Sequence, residues 1–236
     1  MSSSSDLRPR PLLPGGVPRS SRGLLAAVSA LLAVVALSDL FAVFAGARIH
    51  ALIDEDHGFA TAPQQDLDAA YSLYQTAGNL QVILYVPCAV LFVVWFFRMR
   101  RNTGLLAPDR FRNGPGWAIG GWAIPLANLW MPYRVAVDMW GAGTPLPDGG
   151  EPYRTSIWPV NLWWGLFVAS ALFRRYAGSR YEAAETLSEV RDAVVQYMAA
   201  DVLDVAAAAA AVYFAVRLTA MQRLKAAEGP YRTARA

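Results

Sequence analysis

The sequence predicts an all-α protein, a polytopic membrane helical bundle with four transmembrane helices plus a Trp-rich re-entrant or interfacial segment. Three observations carry that expectation. Several runs stay apolar for the roughly 20 residues that cross a hydrocarbon core about 30 Å thick. The composition is 55% hydrophobic against 17% charged, a membrane-type balance. Three acids, Asp39, Asp201 and Asp204, stand inside apolar runs, whereas almost every basic residue stands outside them.

The elements follow in chain order. Residues 1–22 are rich in Ser, Pro, Gly and Arg, cannot bury a core, and are expected to form a disordered cytoplasmic tail. Residues 23–47 form the first span. Arg19 and Arg22 precede it and Ala45-Gly46-Ala47 resembles a cleavage site, but its apolar part exceeds the roughly 7–15 residues of a signal core, so an uncleaved anchor is expected. The second span, 80–97, stops at Arg98, Arg100 and Arg101. Its Cys88, the one cysteine of the chain, has no internal disulfide partner and reads as packing. The third, 157–173, stops at Arg174 and Arg175, and the fourth, 197–216, runs through the alanine block 206–211. Ahead of it, Leu187, Val190, Val194 and Tyr197 recur at helical spacing, so the fourth helix is expected to project beyond the outer surface. Residues 23–226 then make one membrane domain, and 227–236 a second disordered cytoplasmic tail.

Charge sets the orientation, because Lys and Arg flanking spans stay on the cytoplasmic side. The first tail carries four Arg and one acid, whereas the loop after the first span has Arg48 against Asp54, Glu55, Asp56, Asp66 and Asp68. Arg98, Arg100, Arg101, Arg110 and Arg112 follow the second span, and Arg217, Arg223, Lys225, Arg232 and Arg235 close the chain. The expected setting is the cell inner (plasma) membrane with both termini cytoplasmic, which demands an even number of crossings. The apolar segment 115–131 is therefore read as re-entrant or interfacial, with Pro125 interrupting its hydrogen bonding and Gly116, Gly120 and Gly121 allowing close helix contact. The alternative is a conventional kinked span.

The segment GWAIGGWAIPLANLWMPYR, residues 116–134, fits a pattern GWxxGGWxxPxxNLWxPY. It is accompanied by WFFRMRRN at 95–102, the Trp158, Trp163 and Trp164 cluster, and VRLTAMQ at 216–222. In these features the chain, over about residues 24–225, resembles an actinobacterial integral-membrane family known as a domain of unknown function, DUF4328. That resemblance implies a four-span core and no established activity.

Two constellations carry candidate chemistry. Trp117, Trp122, Trp130 and Tyr133, with Pro125, Asn128 and Arg134, suit anchoring at a bilayer interface, where ring bodies are buried and N–H or O–H groups stay wet. The sharper reading is a lipid or partner cradle joined by Asn161, with Arg134 and the Arg98 to Arg112 cluster drawing anionic headgroups. The second constellation is an intramembrane polar cluster of Asp39, Asn79, Gln81, Asp201 and Asp204, at matching depths in the outer half of the spans. With no Lys or Arg inside the spans, these acids are expected to be protonated, hydrogen-bonded to Asn79 or Gln81, or reached by outside water. Asp201 has a further option in Arg174 or Arg175.

His50, Asp54, Asp56 and His57 offer metal-ligand types, but their spacing matches no specific site and a solvated acidic loop explains them. No nucleophile triad, phosphate-cradling glycine loop or paired catalytic acids on separate helices is recognisable in the sequence. The expectation is a non-enzymatic scaffold or lipid- or partner-binding component without catalytic residues, metal or cofactor. Its partners would be the bilayer, anionic headgroups and either a second copy or an unknown membrane partner, not nucleic acid. Ala26, Ala30, Ala42, Gly46 and the 206–211 face supply small residues for close helix packing. The rival expectation is a small proton- or cation-coupled transporter or channel using the intramembrane Asp residues.

Overall fold

The computed structural model describes residues 22–52, 63–107, 111, 113–144 and 156–228. These residues form six α-helices and a short 3-10 helix, with no strand among them: α1 (Arg22–Leu52), α2 (Gln64–Leu106), α3 (Trp117–Ala123), the 3-10 helix (Ala127–Leu129), α4 (Met131–Gly143), α5 (Trp158–Glu182) and α6 (Leu187–Glu228). The two tails and the acidic loop that holds Asp54, Asp56 and His57 lie outside the described residues.

Three helices, α1, α2 and α6, are long and apolar enough to cross a membrane. At about 1.5 Å per residue, the 31, 43 and 42 residues of α1, α2 and α6 give lengths of about 46, 64 and 63 Å. The helices therefore outrun the apolar windows read from sequence. α2 begins at Gln64 rather than near Leu80, and α6 at Leu187 rather than Tyr197. α5 has length enough at 25 residues, about 38 Å, but is not among the three, since Asn161, Arg174 and Arg175 dilute its apolar character.

Local chemistry explains the ends. Thr186 and Glu189 form a reciprocal capping box at the start of α6: Glu189 Oε2 accepts the Thr186 N–H at 3.0 Å, and Thr186 Oγ1 accepts the Glu189 N–H at 3.3 Å. Pro132 and Pro159 occupy the first turns of α4 and α5, where a missing N–H costs nothing. Only residues 183–186 separate α5 from α6, and a connection that short makes the two helices antiparallel neighbours.

Contacts set the layout. α1 packs along both α2 and α6, and α6 packs along α5. Small residues permit the approach at one end of the bundle: Ala42, Ala45 and Ala77 are buried together, and a Cβ on Gly46 would stand 2.8 Å from Met198 Cγ of α6. Ala207, Ala208, Ala210 and Ala211 are also buried, whereas Ala26 and Ala30 are exposed and take no part in this packing.

The other end is filled with rings. Trp95, Phe96, Trp163 and Phe214 are essentially inaccessible. Trp163 stacks on Phe214 at 4.5 Å between centroids, nearly parallel, and Trp122 of α3 meets Phe92, Phe96, Trp163, Trp164 and Phe167. These rings fill the space between α2 and α5. Residues 115–131 do not form one continuous helix. α3 has seven residues, about 10 Å, and the chain breaks at Ile124 before Pro125 and resumes as the 3-10 helix and α4. Of the three glycines expected to allow close approach, only Gly121 does so, with its Cβ position 3.0 Å from Met131 Cβ. Gly116 and Gly120 face open space.

Candidate functional site

Four helices bring one polar residue or more to a single level of the bundle: Asp39 from α1, Gln81 from α2, Arg174 from α5, and Asp201 and Asp204 from α6. The antiparallel registers of α1 with α2, α1 with α6 and α5 with α6 coincide here. Gln81 Nε2 donates to Asp39 Oδ1 at 2.8 Å and to Asp201 Oδ1 at 2.9 Å. Arg174 Nη2 donates to Asp201 Oδ1 at 2.8 Å, Arg174 Nε donates to Asp204 Oδ2 at 2.9 Å, and Nη2 also contacts Asp204 Oδ2. The guanidinium stands 4.0 Å from Asp39 Oδ1, beyond hydrogen-bond range.

The three carboxylates each present an oxygen within 4.8 Å of the others. Asp39 and Asp201 are 3% and 5% exposed, whereas the Asp204 and Arg174 side chains are 24% and 37% exposed and form the open side of the centre. Asp39 Oδ2 is buried and accepts no hydrogen bond from the described residues. Three acids thus share one cation, and like charges at this separation repel strongly away from water.

Two sequence expectations change. The acids have a cation: Arg174, read as a marker of a span's end, lies inside a helix that continues to Glu182, and its long arm reaches Asp201 and Asp204. Asn79 does not join the cluster and is exposed. Asn79 and Gln81 are two residues apart, about 200° around the helix, so one facing the centre turns the other away. The phenols of Tyr74, Tyr85 and Tyr197 are within electrostatic reach of Asp201 or Asp204.

The Trp-rich motif divides into an inward and an outward set. Trp122 enters the ring cluster, and its Nε1, like the Asn128 Oδ1, is buried without a partner. Tyr133 Oη donates to Asn161 Oδ1 at 2.9 Å, joining α4 to α5. Trp117, Trp130, Pro125 and Arg134 are exposed. A shallow groove of about 370 Å³ runs along Gly114, Gly116, Trp117, Gly120 and Ile124. Lys225 Nζ donates to the Ala142 carbonyl at 2.7 Å, which ties α4, the helix after the Trp motif, to the end of the bundle where α6 finishes, and Gln222 Nε2 donates to the Met99 carbonyl at 3.3 Å, tying α6 to α2. Arg100, counted by sequence among headgroup-attracting residues, is buried. Its guanidinium sits 3.4 Å over the Phe111 ring and donates to the Asn113 carbonyl.

The family model described as Domain of unknown function (DUF4328) matches residues 60–220. The chain belongs to this family. The matched stretch of the DUF4328 domain runs from the start of α2 into α6 and holds Gln81, Arg174, Asp201, Asp204 and the whole Trp motif, while α1 with Asp39 precedes it. The sequence resemblance extended farther, to about residue 24. Searches among curated proteins and among solved structures find no match.

Proposed function

We propose that this DUF4328 protein is a four-crossing protein of the cytoplasmic membrane that works by binding, not by catalysis, and that its Trp-rich hairpin seats in the cytoplasmic interface and holds anionic lipid. The observation that carries this reading is the outward face of the hairpin. Trp117, Ile119, Ile124, Leu126, Leu129 and Trp130 are all exposed large apolar residues, with Arg134 exposed beside the same turn. Indole rings with a nearby guanidinium match the chemistry of the headgroup region.

Support for a fourth crossing comes from α5, which is 25 residues long, packs along α6 and is largely apolar from Leu162 to Phe173. Support for a re-entrant hairpin comes from the shortness of α3, from the break before Pro125, and from the Lys225 tie that holds α4 to the end bearing the basic C-terminal residues. Both chain ends are then cytosolic. Single cysteines at Ser21, Thr61 and Thr233, in a Cys88→Ala background, test the map. An impermeant maleimide is expected to label only position 61 in intact cells, and outside labelling at 21 or 233 overturns it. For lipid, native mass spectrometry is expected to find phosphatidylglycerol retained by the wild type and lost on combining Trp130→Ala with Arg134→Gln. Equal retention removes the lipid role.

A second reading, proton or cation transport, is favoured by the surplus of acids over cations at the Arg174 centre. Reconstituted liposomes test it: pH-dependent flux that falls in Asp39→Asn and Asp204→Asn supports transport, and absence of flux from well-folded protein removes it.

A further inference from the structure

We infer that Asp39 holds one exchangeable proton, acquired through the open side formed by Asp204 and Arg174. Donor supply singles it out. Asp204 receives Arg174 through Nε and Nη2, and Asp201 receives both Arg174 and Gln81. Asp39 receives Gln81 alone, on Oδ1. Its side chain is 4% exposed, the guanidinium is 4.0 Å away, and Oδ2 has no donor. A buried anionic oxygen without a donor carries the full desolvation cost, whereas a neutral carboxyl carries much less.

The surroundings leave no other source of positive charge among the described residues at this level. α2 contributes the neutral Gln81 amide and the phenols of Tyr74 and Tyr85, and α5 contributes Arg174. α6 contributes Asp201, Asp204 and the Tyr197 phenol. Arg174 is committed to the two acids of α6, so a proton on Asp39 Oδ2 halves the surplus negative charge where the compensation is poorest. The balance is simple: one O–H bond forms on the Asp39 carboxylate and one O–H bond of a hydronium ion breaks, releasing a water molecule. Exchange needs a route to water, and the partly exposed Asp204 and Arg174 side chains supply it.

This inference deepens the transport reading by naming the ion and its seat, but it stands apart from flux: a protein that keeps the proton and conducts nothing loses only transport. Infrared spectroscopy of purified protein in sodium-free choline buffer at pH 5 is expected to show a protonated-carboxyl C=O band, absent in Asp39→Asn and lost from the wild type as pH rises. Mass spectrometry after treatment with a hydrophobic carbodiimide, which reacts with protonated carboxyls, is expected to place the adduct on Asp39. A spectrum without the band, a band that survives Asp39→Asn in folded protein, or an adduct confined to Asp204 overturns the assignment. So does a band abolished by added sodium, because an alkali ion is then the occupant. If Asp39→Asn does not fold, the carbodiimide map of the wild type decides alone.

Discussion

One half of the bundle is held by five polar side chains, the other by some ten aromatic rings, and the two halves fail differently. In the polar centre each contact is directional and each group has few partners: among the described residues, Gln81 alone bridges Asp39 to Asp201, and Arg174 alone supplies positive charge. In the ring cluster Trp122 touches five other rings and Phe92 touches four, so contacts are redundant and the loss of one leaves the others in place. A polar centre converts small chemical changes into large local consequences, whereas an aromatic cluster charges for lost volume.

The largest effect is expected where that volume is greatest. Trp163→Ala removes the ring that stacks on Phe214 and is 2% exposed; a loss of about 3–5 kcal/mol is expected, read as a lowered thermal midpoint in detergent with the Arg174 pairs intact. Next comes Arg174→Leu, which leaves three acids without a cation at a loss of about 3 kcal/mol. Arg174→Lys should restore charge but not the forked contact and fall between. If Arg174→Leu is as stable as the wild type, the centre contributes nothing to the fold.

A finer comparison sits within α2. Gln81→Leu strips a donor from both Asp39 and Asp201 and should cost about 1–3 kcal/mol, whereas exposed Asn79→Ala should stay within about 0.5 kcal/mol. Equal effects in denaturation would mean that Asn79 also serves the centre. The smallest contrast lies in the hairpin. Gly121→Ala presses a methyl on Met131 and should cost about 1 kcal/mol, while Gly120→Ala, with open space, should gain about 0.5–1 kcal/mol from helix propensity.

The two regions also differ in how far sequence reveals them. The ring cluster draws on a contiguous stretch, 116–134, whose tryptophans are visible at a glance, although inward Trp122 cannot be told from outward Trp117 and Trp130 without the fold. The polar centre is assembled across the chain. Asp39, Asp201 and Asp204 stand out because apolar neighbours frame them, and Gln81 stands out near the start of its apolar run. Arg174 does not, because an Arg directly after Phe173 reads as the end of a span and hydropathy cannot show that the helix continues. The pairing of Arg174 with the two acids of α6 depends on α5 running on to Glu182 and α6 starting at Leu187, neither of which hydropathy shows. Helix ends were the least legible feature, since α2 and α6 continue through polar turns that hydropathy discards.

Pro87 lies inside α2, between Gln81 of the polar centre and Phe92 of the ring cluster. Lacking an N–H, it leaves the Ile83 carbonyl without its helical donor. The seam between the two halves of the molecule therefore coincides with a missing rung in the longest helix, and bending there asks less of the backbone than bending anywhere else along α2. The arm of α2 that carries Gln81 thus joins the arm that carries Phe92, Trp95 and Phe96 across a turn held by one hydrogen bond fewer.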